Sequence, residues 1–247
     1  MKKENKTKFS NVYEDTKRAA AYSKLKFDKT YYLAYRDLPK IISQYSSGKN
    51  ALDFGCGTGR STRFLQTLGY KTMGIDISEE MITIARKLDP AGDYQRIDDG
   101  DFSRFSSSSF DLILSAFTFD NIPTMDKKIR LFNGLSALLT QNGTIINLVS
   151  SPEIYTHEWA SFTTKDFPEN AKAKTGDIVR IITTDIADTR PCYDIFWSEE
   201  DYTTVYSKAN LRIIKKYKPL AIGKEPYQWI NETRIAPWTI YVLKKKT

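Results

Sequence analysis

Gly55, Gly57 and Gly59 stand one residue apart between a short apolar run, Ala51-Leu52-Asp53-Phe54, and a segment in which Phe64, Leu65 and Leu68 recur at helical spacing. Few folds accept a strand that enters a helix through such a loop. Glycine tolerates positive φ and lets a bound molecule approach the backbone, and the first turn of the helix offers N–H groups with no partner inside the helix. The next strand-like run, Thr72-Met73-Gly74-Ile75-Asp76-Ile77, ends on an acid. A carboxylate there suits a ligand with two ribose hydroxyls, because it accepts hydrogen bonds from both.

The alternation continues down the chain. Ser78 caps a helix with Glu79 and Glu80 in its first turn and Met81, Ile84, Ala85 and Leu88 as its apolar stripe, and Asp89-Pro90 stops it. Tyr94 to Ile97 reads as a third strand and Phe110 to Phe117 as a fourth. Ile129, Leu131, Phe132, Leu135, Leu138 and Leu139 mark a helix expected to end near Asn142-Gly143, before a fifth strand from Thr144 to Val149. This order predicts an α/β fold: a doubly wound, mostly parallel sheet with helices on both faces. Strands covered on both faces are apolar throughout, as these are.

Two segments stand outside the repeat. Residues 1–48 read as helical and tyrosine-rich (Tyr13, Tyr22, Tyr31, Tyr32, Tyr35, Tyr45), and 150–197 hold Ile178 to Ile186 and Cys192 to Trp197, expected as a strand pair attached to the main sheet. Ser198-Glu199-Glu200 caps a further helix, and Leu211 to Tyr217 and Trp238 to Leu243 read as the last strands. No linker divides the chain. The expectation is one domain over 1–247: an N-terminal helical lid (1–48), a cofactor-binding core (49–149), an insertion on the acceptor side (150–197) and a C-terminal completion of the sheet (198–247).

Composition narrows the class. With 247 residues, 40% hydrophobic and 27% charged, the chain is ordinary globular protein. No apolar run approaches the roughly 20 residues of a membrane helix. Met1 to Lys8 is basic but no apolar stretch follows, which argues against a secretory signal. Cys56 and Cys192 are too few for a disulfide framework or a cysteine-rich zinc site, so a reducing, cytoplasmic setting is expected and no metal. The +7 net charge is uneven: nine Lys/Arg against four Asp/Glu in 1–30, ten against two in 208–247, and 18 against 24 between. The basic ends read as solvated termini and keep nucleic acid in view as a partner.

Asp53, Asp76 and the Asp98 to Asp101 cluster close three successive strands at one edge of the sheet, where open α/β folds bind ligands. That much negative charge opposes a pyrophosphate and favours a cationic nucleoside. A dinucleotide fingerprint would also need glycine where Arg60 stands.

The stretch Leu52 to Gly59, Gly74-Ile75-Asp76-Ile77-Ser78, and Phe110 to Leu114 with the acidic loop before it resemble the class I S-adenosylmethionine-dependent methyltransferases. The resemblance covers roughly residues 45 to 150 by motif and 198 to 247 by element order. It implies a Rossmann-like sheet of seven strands with an antiparallel last strand, Trp238 to Leu243. It implies S-adenosyl-L-methionine as cofactor, its methionine part held by the loop of Asp53, Gly55, Cys56, Gly57, Thr58 and Gly59. The ribose would lie on Asp76 with Ile77 and Met81 beside it, the adenine near Asp99, Gly100 and Asp101, and the sulfonium near Ser115, Ala116 and Phe117.

Cys56 is read as a small packing residue of the loop. Pro191-Cys192 lies too far downstream to serve as the nucleophile dipeptide of cytosine-C5 methyltransferases, and Asp120-Asn121-Ile122-Pro123 only distantly echoes the amino-methyltransferase motif. His157, the only histidine, and Asp120 are the candidate general bases. Tyr22, Tyr32, Tyr155 and Trp159 are candidates for an aromatic acceptor pocket. The expected activity is methyl transfer to a small organic acceptor. The alternatives are an RNA or DNA methyltransferase and a non-catalytic S-adenosylmethionine-binding module.

Overall fold

The structure is a computed structural model and describes residues 15–246; Met1 to Lys8 and Tyr13 lie outside the described residues. Three short helices come first: α1 (Thr16–Tyr22), α2 (Thr30–Arg36) and α3 (Leu38–Tyr45). The alternating core follows as β1 (Asn50–Phe54), α4 (Arg60–Thr67), β2 (Lys71–Asp76), α5 (Glu79–Leu88), β3 (Asp93–Arg96), β4 (Phe110–Ala116), α6 (Met125–Leu138) and β5 (Leu139–Ser150). Short β6 (Phe162–Thr163), β7 (Ile178–Thr183) and β8 (Cys192–Ile195) make up the insertion. The chain then closes with α7 (Glu199–Lys208), β9 (Leu211–Tyr217) and β10 (Trp238–Lys245).

The main sheet has seven strands in the order β3-β2-β1-β4-β5-β10-β9. β1 to β5 run parallel, and β10 is antiparallel to both its neighbours, as expected for the last strand. Strand pleating sends alternate residues to opposite faces. Leu112 and Leu114 join Leu38, Ile42 and Leu65 of the helices on one face, while Ile113 joins Phe132, Leu135 and Val205 of α6 and α7 on the other. This two-sided burial is the reason the central strands carry no polar face.

Two expectations need correction. Asn142-Gly143 does not end a helix: α6 stops at Leu138 and β5 begins at once, with Gly143 inside the strand where the β4 pairing shifts register between Phe110 and Leu112. The extra residues are absorbed as an irregularity of the sheet. The insertion is also not attached to the main sheet, because β6, β7 and β8 form an antiparallel sheet of their own. The free edges of the main sheet are β3 and β9, whereas the insertion leaves from the end of the interior strand β5. It is held to α1 by Arg18, whose guanidinium donates to the carbonyls of Arg190 (3.0 Å) and Pro191 (2.7 Å). Among the described residues no helix is long and apolar enough to cross a membrane.

One buried carboxylate joins three parts of the chain. Glu232, fully buried, accepts from the Thr30 hydroxyl (2.7 Å) and the Ala160 amide (2.7 Å) on one oxygen and from the Ile230 (2.9 Å) and Asn231 (3.1 Å) amides on the other. Glu232→Ala strands four donors away from water, so we expect a loss of about 3 kcal/mol, or roughly 10 °C in melting temperature, in a thermal scan.

Candidate active site

The glycine loop is shaped by positive φ at Gly55 (+72°), Gly57 (+52°) and Gly59 (+82°). It turns back on β2, with the Gly55 and Cys56 amides donating to the Ile75 carbonyl at 2.8 and 3.0 Å. Asp76 completes the turn: one carboxylate oxygen accepts the Gly57 amide and the other the Ser78 amide, both at 2.9 Å. A methyl group on Gly55 would strike Thr118, and one on Gly59 would come within 2.7 Å of the Tyr94 ring. At Gly57 it would meet nothing within 4 Å. Gly57 is therefore the point where the loop opens outward.

Beneath the loop, Asp53 accepts from the Ser61 and Thr62 hydroxyls, both at 2.6 Å and both on one oxygen. Its other oxygen is buried without a partner, as is the hydroxyl of Ser115 at the end of β4. Burial pushes the Asp53 carboxyl up to about 6. Burial, with Asp76 and Asp53 adding, also pushes the Cys56 thiol far above its ordinary range, which keeps it protonated and agrees with a packing role. Thr118, which sequence reading did not single out, donates to the Phe54 carbonyl at 3.0 Å and forms the wall behind Gly55.

The strand order sets out the rest of the edge. On the β2–β3 side of the loop lies an open cleft of about 500 Å³ bordered by Ile77, Ser78, Glu79, Glu80 and Arg96. Met81 is buried one turn into α5, with its amide on the Ser78 hydroxyl (3.3 Å), and does not border the cleft. Asp98, Asp99, Gly100 and Asp101 lie exposed after β3: Asp98 pairs with Arg96 (2.7 Å), Asp99 with Lys127, and Asp101 accepts the Ser103 amide (2.9 Å). On the β4–β5 side Ala116 is half-buried, and Phe117, at φ +66°, rests on Trp238 with ring centroids 4.7 Å apart. Left-handed backbone at a bulky residue is strained, and such strain gathers at functional sites.

Phe117 borders a half-open cavity of about 50 Å³. Its lining includes Tyr22, Tyr31, Asp120, Tyr155, Asp194 and Trp238. Tyr22, Tyr155 and Asp120 are thus brought together as expected, whereas three other candidates are not. His157 does not line the cavity; its Nδ1 lies 3.1 Å from the Glu153 carbonyl and its ring packs on Trp159. Trp159 is buried in the core with its indole N–H on the Ile154 carbonyl (2.9 Å). Tyr32 packs on Tyr227, 5.5 Å between centroids, away from the cavity.

Asp194 escaped sequence reading because β8 is a short strand of the insertion whose partner contacts depend on tertiary structure. Its carboxylate accepts the Tyr155 hydroxyl at 3.1 Å. Asp120 accepts the Ser150 amide at 3.1 Å. Arg60 was likewise read only as the residue excluding a dinucleotide fingerprint. Its guanidinium stands 4.8 Å from the Tyr31 ring centroid, 5.4 Å from Phe27, 5.8 Å from Tyr35 and 5.9 Å from Tyr22, and donates to the Lys26 carbonyl (3.1 Å). It thereby ties the first turn of α4 to α1 and α2. Among the described residues no group of three or more His, Cys, Asp or Glu could hold a metal ion.

Residues 52–147 match the methyltransferase domain family. An uncharacterized methyltransferase of Bacillus cytotoxicus is 34% identical over 119 residues, 48% of this chain and 54% of that one, and one of Bacillus mycoides is similar to the same extent. The match spans about half the length of these curated relatives. Among solved structures, a S-adenosylmethionine-dependent methyltransferase from Clostridium acetobutylicum superposes with a TM-score of 0.61 at 16% identity, covering 97% of this chain and 98% of that one. One from Methanosarcina mazei gives 0.61 at 16% identity over 84% and 98%. Identity that low speaks for the fold. Fold and loop together are similar to those of the class I S-adenosylmethionine-dependent methyltransferases, the sequence likeness lying in residues 52–147. S-adenosylmethionine is the cofactor for which those two solved structures are named.

The residues present fit that cofactor. Gly57 opens to free space, Asp76 stands beside it, and the Asp53 carboxylate and Ser115 hydroxyl each keep a buried oxygen without a partner.

Two substitutions probe the loop without ligand. Gly57→Ala carries only the cost of left-handed backbone, about 1 kcal/mol, whereas Gly55→Ala adds a collision with Thr118 and is expected to cost on the order of 3 kcal/mol in chemical denaturation. Asp53 supplies a pH test. Its carboxyl rises from 3.8 unfolded to about 6 folded, so the native protein holds more protons between those values and is destabilised as pH rises through them. The stability of the wild type relative to Asp53→Asn should fall by about 3 kcal/mol in all as pH rises from about 2.5 to about 7.5, about 2 kcal/mol of it between about pH 4 and about pH 6.

Proposed function

We propose that the chain transfers a methyl group from S-adenosylmethionine to a small organic acceptor. The observation that carries this reading is the row of open cleft, glycine loop and half-open cavity at the C-terminal ends of β3, β2, β1, β4 and β5. Asp76 holds the ribose hydroxyls, with Ile77 against the adenosine. Asp99, Gly100 and Asp101 line its far side. Asp53, Gly55, Cys56, Gly57, Thr58 and Gly59 hold the methionine part, and Ser115, Ala116 and Phe117 border the sulfur. When bound, the cofactor supplies a methyl on a cationic sulfur, which keeps the C–S electron pair as it becomes a neutral thioether.

The protein's work is then to place the acceptor atom about 3 to 3.5 Å from that methyl and in line with the sulfur, since positioning alone accounts for several kcal/mol of a displacement barrier. Tyr22 and Tyr31 bring the lid to the acceptor, Tyr155 brings the insertion, and Asp120 is the base in reach of it. We place the protein in the cytoplasm. Of the basic C-terminal residues, Lys216 and Lys218 share one partner, Glu199.

Calorimetry should detect S-adenosylmethionine and S-adenosylhomocysteine but not nicotinamide dinucleotides, and Asp76→Ala should weaken both by at least about ten-fold, the loss of a charged hydrogen-bond acceptor. Heat from the dinucleotides alone would sink the reading. Retention of oligonucleotides that falls steeply with salt would move the acceptor to nucleic acid.

A further inference from the structure

We infer that the acceptor carries a basic nitrogen, bound as its ammonium form by Asp120 and Asp194 within a cage of aromatic rings and methylated on that nitrogen; this rests on the methyl-transfer reading above. Two carboxylates from separate elements, the turn after β4 and strand β8, face one cavity. Asp120 is 4% exposed. Among the described residues no cation comes within 4 Å of either group. Lys128 on α6, which acts on both acids electrostatically, is fully buried behind the cavity, where its ammonium donates to the Phe119 carbonyl and lies over the rings of Trp197 (4.7 Å) and Tyr202 (5.1 Å). Both carboxylates thus line the cavity, while the Lys128 ammonium stays behind its wall.

The hydrogen-bond account leads the same way. A carboxylate offers about four acceptor sites. Asp194 takes one hydroxyl, from Tyr155, and Asp120 takes the Ser150 amide and a long contact of 3.5 Å from the Tyr202 hydroxyl. An ammonium group has three donors to fill such vacancies and is bound more tightly where water is excluded. The remaining wall is aromatic: Tyr31, Phe117 and Trp238 form a mutual cluster with centroids 4.7 to 6.0 Å apart, and Tyr22 lies beside them. The Trp238 indole N–H is bonded to the Thr30 carbonyl (2.7 Å), so it cannot donate to a ligand. Ring faces attract a cation and give nothing to an anion. By the measure on which one water needs about 10–15 Å³, a cavity of about 50 Å³ admits a small ammonium head with the body of the acceptor extending through the mouth.

The same carboxylates suit the proton step. An ammonium nitrogen has no lone pair and must lose a proton before it forms a new bond. The proton passes to a carboxylate oxygen of Asp120 or Asp194, and the N–H electron pair stays on nitrogen as the lone pair. Burial raises the proton affinity of both acids, with their mutual repulsion adding at Asp120, and burial lowers that of Lys128. Tyr22, Tyr31, Tyr155 and Cys192, which also face the cavity, and Tyr202 behind it are held neutral by burial. Asp201, acting on Lys128 from α7, and Arg18 and Arg60, near Cys192 and Tyr22, are the other charged groups around it.

The test is calorimetry on the ligand-free full chain with benzylamine, benzyl alcohol and benzoate, three probes of one shape and different charge. The amine should bind at least ten-fold more tightly than the alcohol, and benzoate should give no heat. Asp194→Asn, on the short insertion sheet, should remove the preference for the amine over the alcohol. Equal binding of amine and alcohol, preference for benzoate, or no heat from any of the three overturns the inference, and these comparisons on the wild type need no variant to fold. S-adenosylhomocysteine titrated in parallel separates the two readings. Heat from it without amine preference overturns the inference alone; amine preference without that heat overturns methyl transfer and leaves the ammonium site standing.

Discussion

The hydrogen bond from the Gly57 amide to the Asp76 carboxylate joins the two halves of the candidate site. It fixes the loop after β1 to the end of β2, so the cleft beside Ile77 and the cavity beside Phe117 keep a set spacing on either side of it. Positive φ at Gly57 is what aims the amide at Asp76, and the Ile75 carbonyl holds the preceding two amides in the same turn. A side chain at Gly57 would stand where the loop opens, and one at Gly55 would displace Thr118 from the wall behind it. The glycines therefore do different work despite their even spacing.

Around that loop the chain places its charges by burial. Asp53, Asp120 and Asp194 are all pushed above the usual carboxylate range by the loss of water, yet their surroundings differ. Asp53 is met by two hydroxyls and serves the first turn of α4, whereas the other two look into a cavity with aromatic walls. Exposed acids after β3 are instead neutralised by Arg96 and Lys127 at the surface. A rim that reads as uniformly acidic in sequence is divided in space into a scaffold, a surface loop and a binding wall.

The main sheet was legible because its signals are local. Apolar runs, a serine cap at Ser78 and spaced glycines each report on a few neighbouring residues, and they placed β1 to β4 within a residue or two. Asn142-Gly143 misled because the pair marks a chain irregularity, and whether that becomes a turn or a widened strand depends on the β4 pairing. The glycine loop could be read for the same local reason. The acceptor side could not: Asp194 and Tyr155 meet only after the insertion folds over β4 and β5, and His157 carries the right chemistry on a turn that faces away. Long-range placement leaves no periodic trace.

Arg60 links the covering helices to the floor of the site. Its guanidinium is shared by rings from α1, from α2 and from the turn between them, while its own backbone opens the helix that the glycine loop enters. One cation and four ring faces are thereby packed away together. The packing of the N-terminal helices and the shape of the glycine loop are therefore tied through one side chain and do not vary independently.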